Sequence, residues 1–130
     1  MERELKFRAY HKSKKEMLSV FSFCYEFIKV VTDIDLVEKF SVNEFSELMQ
    51  FTGEKDICSA DIFKGDILQC ENDKIYLVDF RKGSWVIVHA PTCGREREGE
   101  CKTDYLHDAL KALELEVIGN EYQTPELLTN

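Results

Sequence analysis

Residues 64–89 read KGDILQCENDKIYLVDFRKGSWVIVH, and they decide the fold. After the turn Lys64-Gly65-Asp66 come three β-like runs, residues 67–70, 74–80 and 84–89. The connections, Glu71-Asn72-Asp73 and Arg81-Lys82-Gly83, have hairpin length. In the second run Ile75, Leu77 and Asp79 share one face, with Tyr76, Val78 and Phe80 on the other. In the third, Trp85, Ile87 and His89 oppose Val86 and Val88, the two-residue period of a strand. Three strands at this spacing predict an antiparallel meander from a small barrel or roll.

Working outward, Leu5-Lys6-Phe7-Arg8-Ala9 alternates apolar and charged residues, so Leu5, Phe7 and Ala9 are expected on the core face. Residues 11–15 form a charged turn. Residues 17–23 read as a strand, although Val20, Phe23, Phe27 and Val31 also recur at helical spacing. Ser41-Val42-Asn43-Glu44 matches a capping box, and Phe45, Leu48 and Met49 then predict a short helical turn before Gln50. Thr52-Gly53 marks a turn.

On the C-terminal side, residues 90–102 form a polar loop, and residues 104–113 predict a helix. Its apolar stripe is Tyr105, Leu106, Ala109, Leu110 and Leu113, with Thr103 or Asp104 as the cap. Residues 115–118 predict a final strand, ended by Gly119-Asn120. Asn120 and Thr124 are placed to hydrogen-bond the turn that follows, with Leu127 and Leu128 packing back.

The 130 residues suit one domain, residues 1–130. Hydrophobic residues are 44% and charged residues 32%, a folded profile rather than a disordered one. Residues 1–15 are charged throughout and lack a signal peptide's apolar stretch, and residues 17–31 are too short and polar to span a bilayer. The five cysteines therefore read as reduced thiols in a cytoplasm. Cys24, Cys58 and Cys70 read as small buried hydrophobes.

Net charge is −8, yet residues 1–15 carry a local +4 from Arg3, Lys6, Arg8, Lys12, Lys14 and Lys15 against Glu2 and Glu4. The rest of the chain repels phosphate, so nucleic-acid binding is disfavoured outside that segment. No membrane partner is expected.

No catalytic constellation emerges. Ser84 lies outside a G-x-S-x-G elbow, and the loop Gly94-Arg95-Glu96-Arg97-Glu98-Gly99 is not a P-loop. Cys93 with His89 or His107 as base has no local support. Asp104 and Asp108 share a helix face by chance. His89, Cys93, Cys101 and His107 form H-x3-C-x7-C-x5-H, a possible zinc set, but without a Cys-x2-Cys pair they read as ordinary residues. No catalytic, cofactor-binding or metal-ligating residue is therefore assigned.

Two binding readings remain, and a third, nucleic-acid binding through the basic segment Arg3 to Lys15, ranks below them. Trp85, Tyr76 and Phe80 are interface candidates if exposed. Alternatively, Asp66, Glu71, Asp73 and Asp79 imitate a nucleic acid towards a DNA-binding protein. Carboxylates two apart on a strand stand about 6.6–6.8 Å apart, about two phosphate steps.

Three segments together resemble the YopX family of phage and prophage proteins. Arg3-Glu4-Leu5-Lys6-Phe7-Arg8-Ala9-Tyr10 with Lys14-Lys15-Glu16-Met17 is similar to its opening strand and turn. Leu48-Met49-Gln50-Phe51-Thr52-Gly53-Glu54-Lys55-Asp56, then Ile62-Phe63-Lys64-Gly65-Asp66-Ile67, resembles its central signature. Here Ile57-Cys58-Ser59-Ala60-Asp61 replaces the family's usual Gly-containing turn. Val117-Ile118-Gly119-Asn120-Glu121-Tyr122 with Pro125-Glu126-Leu127-Leu128 resembles its closing motif. The resemblance implies a mainly β fold, an SH3-like roll or small barrel with one or two short helices, and a phage or prophage origin. It transfers no catalytic residue, because the family has no established chemistry. The expected function is binding rather than catalysis: an accessory protein-interaction module with a host or phage protein as partner, and possible homo-oligomerisation.

Overall fold

The computed structural model describes residues 5–31, 36–90 and 103–128, and nearly all of the chain's regular structure is antiparallel strand. Two compact units divide at Met1–Phe51 and Thr52–Asn130.

In the first unit β1 (Phe7–His11), β2 (Glu16–Phe23), β3 (Phe27–Val31), β4 (Val37–Ser41) and β5 (Phe45–Lys55) lie in the order β4-β3-β2-β1-β5. One face of this sheet carries the core: Ala9, Ile28, Val30 and Phe45, with Leu18, Val20, Phe40 and Leu48 packed on it. Phe40 and Phe45 sit on strands at opposite ends of that order, yet their ring centroids are 5.9 Å apart. The sheet therefore coils round its core. Bulges between Ala9 and His11, and between Val20 and Ser22, supply local twist.

The bulge beside β5 explains one correction. Phe45 and Leu48 share the core although three residues apart, because the register shifts between their partners His11 and Ala9. That spacing imitates a helix, but residues 45–55 are strand. The helical turn is confined to a 3-10 turn, Val42–Glu44, and both halves of its capping box are made. Ser41 Oγ accepts from Asn43 N at 3.4 Å, and Ser41 N donates to Glu44 Oε2 at 3.0 Å. Residues 17–23 are the strand that was expected. Leu5 is exposed instead of core, and the alternation runs on to His11, which is buried. Thr52-Gly53 is no turn: Gly53, at φ +89°, lies inside β5.

Past Phe51, β5 enters the second unit, where β6 (Asp61–Phe63) pairs with it. That unit's own sheet contains β7 (Asp66–Cys70), β8 (Ile75–Arg81), β9 (Ser84–Ala90), β10 (Thr103–Tyr105) and β11 (Leu115–Asn120), ordered β10-β9-β8-β7-β11. The three central runs are the predicted meander. Lys82 and Gly83 both have positive φ, as a two-residue I′ hairpin between the paired Arg81 and Ser84 requires. Neither sheet closes on itself, so the expected small barrel is not formed among the described residues. Helix α1 (Leu106–Ala112) packs Leu106 and Ala109 against Ile62, Leu68, Tyr76, Val78, Ile87 and Leu115.

The helix start also differs. Thr103 and Asp104 belong to β10, and Tyr105 stands at the N-cap with no side-chain cap, its ring exposed. Gly119 lies within β11, not at a turn. A Cβ there would meet Thr124 Oγ1 at 2.0 Å and Leu127 Cδ1 at 3.1 Å, so close approach demands glycine. Thr124 Oγ1 accepts from Asn120 N at 3.0 Å and donates to Asn120 O at 3.1 Å, as the C-terminal motif predicts.

Candidate binding surface

The hairpin joining β2 to β3 concentrates exposed aromatic area. Tyr25 is 95% exposed, Phe21 64% and Phe23 51%, with Phe27 and Val42 also open. Backbone bonds make this tip a defined rim: Cys24 N donates to Phe27 O, and Val42 N donates to Glu26 O, both at 2.9 Å. Phe23 is further held edge-on against Phe7, with ring centroids 5.4 Å apart.

Within the rim lies a depression of about 130 Å³. Phe23, Ile28, Val42, Phe45 and Leu48 form its apolar wall, and Cys24, Ser46 and Glu47 its polar edge. Small-molecule sites usually measure ~300–1,000 Å³, whereas a cavity of about 150 Å³ takes one benzene ring. The depression therefore has the capacity of a single apolar side chain. Ser46 Oγ is buried and has no hydrogen-bond partner among the described residues, so an incoming polar group would satisfy it.

The rim also has distinct electrostatics. Backbone hydrogen bonds at Glu26 and Phe27 hold the exposed Cys24 thiol below its ordinary range. Beneath the rim, His11 Nδ1 accepts from Lys14 N at 3.1 Å, which leaves Nε2 to donate to Glu44 Oε1 at 3.0 Å. The Phe40 and Phe45 rings pack edge-on against this imidazole at 4.7 and 5.2 Å. Glu44 is held below the usual carboxylate range, first by the Ser41 backbone and then by His11.

The residues singled out from sequence are scattered by comparison. Tyr76 is core, and Trp85 packs against the same core; Phe80 is exposed and meets the Trp85 ring at 4.9 Å. Asp66 is buried and accepts from Phe63 N at 2.8 Å, so it cannot belong to an exposed acidic stripe. Asp79 faces Lys64 and Arg81, and Glu71 accepts from Glu114 N. His89 packs edge-on against Tyr76, and the exposed His107 meets Glu54 at 2.7 Å. Cys93 and Cys101 lie outside the described residues. Among the described residues no three His, Cys, Asp or Glu side chains gather as a metal site. Cys70 is buried as expected, but Cys24 and Cys58 are exposed, both lying in turns outside the strands.

Phe21, Phe23 and Tyr25 were missed as surface residues. A signal was present: aromatics at 21, 23, 25 and 27 repeat at the strand period, which would load one face with four rings. The bulge at Val20/Ser22 and the turn at Tyr25 divide them instead.

No described helix is long and apolar enough to cross a membrane. No curated protein matches the sequence. Among solved structures, the crystal structure of protein EF1440 from Enterococcus faecalis is similar at a TM-score of 0.63 and 24% identity. The match covers 98% of this chain and 99% of that one, a likeness of fold. The YopX protein family model matches residues 6–129, nearly end to end, and the chain belongs to the YopX family.

Proposed function

We propose that this YopX-family chain is a phage or prophage accessory protein that binds a host or phage protein in the host cytoplasm, and that it acts through binding rather than catalysis. The observation that carries this reading is the exposed Phe23 and Val42 at the edge of a depression sized for one apolar side chain, with the exposed Tyr25 at the tip of the same hairpin. Exposed aromatics at the edge of an apolar pocket are the usual anchors of protein interfaces. The SH3-like relationship belongs to the same reading, supported by the antiparallel meander of the second unit.

Affinity capture from host lysate, with nuclease and across a salt series, tests it. The wild-type chain is expected to retain a nuclease-resistant protein. A Phe23→Ser/Tyr25→Ser variant with an unchanged thermal melt is expected to lose it. Undiminished capture by that variant would overturn the reading.

A further inference from the structure

The opposite face of the same hairpin carries a second arrangement, independent of the rim depression. On β3, Ile28 and Val30 turn into the core, so Phe27, Lys29 and Val31 face outward. On β4, Phe40 packs inward, so Val37, Lys39 and Ser41 face outward. Lys29 and Lys39 are direct antiparallel partners, and both are exposed. Like charges directly opposite on a sheet destabilise it. Among the described residues neither lysine is in an ion pair; the Lys39 ammonium rests 4.3 Å from the Phe27 ring centroid. The bulge sets Phe21 and Ser22 both against Lys29, which directs the exposed Phe21 to this face too. Val31 and the exposed Val37, also paired, continue the face as an aliphatic strip.

We propose that this β2–β4 face binds an extended segment of a partner protein in which acidic and apolar residues alternate. Carboxylates on one face of the segment would neutralise the opposed ammonium groups, and the apolar side chains, which alternation sends to the other face, would extend the core beside Phe40. β4 is the end strand of its sheet, so the segment can add as a further strand, its main chain supplying affinity. Single-stranded nucleic acid fits less well. Base stacking needs an open ring face, but the Phe27 face is taken by Lys39.

Fluorescence anisotropy separates the possibilities. The probes are a labelled alternating Asp-Val peptide of about ten residues, its Lys-Val counterpart, and an oligo-dT of similar length, each titrated with the whole chain. The Asp-Val peptide is expected to bind and the Lys-Val peptide not to. Lys29→Glu/Lys39→Glu should weaken binding by about tenfold or more. The single variant Lys29→Gln should also weaken binding while raising the thermal midpoint, since it relieves the opposed charges; general unfolding would move both the other way. Binding of both peptides alike, preference for oligo-dT, or indifference of Asp-Val binding to charge reversal would each overturn the proposal. So would self-association that disappears on charge reversal without any peptide binding, which would assign the face to a second copy.

Discussion

Asp56 Oδ2 accepts a hydrogen bond at 2.8 Å from the backbone N–H of Val117, 61 residues further along the chain. The other carboxylate oxygen accepts from Cys58 N at 2.9 Å and Ala60 N at 2.8 Å. One buried side chain thus closes the loop after β5 and pins it to β11. This gives a physical role to the Asp that ends the first half of the central signature.

Asp56→Ala should cost about 3 kcal/mol of stability, because three backbone donors lose a charged acceptor at once. Asp56→Asn keeps one oxygen acceptor and should cost less. Urea unfolding of the three chains gives the ranking. Equal stability of wild type and the alanine variant would mean that water replaces the carboxylate without penalty.

Gly119→Ala should destabilise by about 1–3 kcal/mol through overpacking. The new methyl group meets Thr124 Oγ1, which hydrogen bonds to Asn120 hold in place, and cannot move without breaking that cap. Adding Thr124→Ser, which removes a methyl group but keeps the hydroxyl, should rescue little. Thermal melts of the single and double variants test the pair.

The acid limb of stability should depend on Glu44. Its carboxyl titrates below the ordinary range when folded, so its contribution is complete above the unfolded pKa and lost as pH falls through the folded one. The Ser41 backbone, then His11 and Lys14, hold the charged form. Glu44→Gln should therefore lower the thermal midpoint at neutral pH, and the gap should narrow below about pH 4. A gap independent of pH would show that the carboxylate charge contributes nothing.

Cys24 should be alkylated by iodoacetamide several-fold faster than Cys58 near neutral pH, although both are exposed. The thiolate is the reactive form. Backbone hydrogen bonds favour it at Cys24, whereas Glu116 beside Cys58 disfavours it. Peptide mass mapping over a time course reads the two rates, and Glu116→Gln should accelerate Cys58 alone.

Elements whose signals are local could be read from the residues alone. The meander of β7, β8 and β9 follows from alternation over a few residues and from the Lys82-Gly83 turn. The capping box at Ser41 and Glu44, and the Asn120–Thr124 turn, join groups three or four positions apart. Such features need no knowledge of distant chain. Tertiary structure alone decided which faces are covered. Alternation states that Phe27 and Lys29 share one side and Ile28 and Val30 the other, but not which side meets a layer of other residues. Bulges at Ala9/His11 and Val20/Ser22 shift the period from two to three, so Phe45 and Leu48 looked helical and the aromatics at 21 and 23 looked equivalent. The exposure of the aromatic rim and the Asp56 anchor were decided in the same way. Each depends on backbone groups brought together from distant strands, and a backbone N–H is the same at nearly every position until the fold selects one.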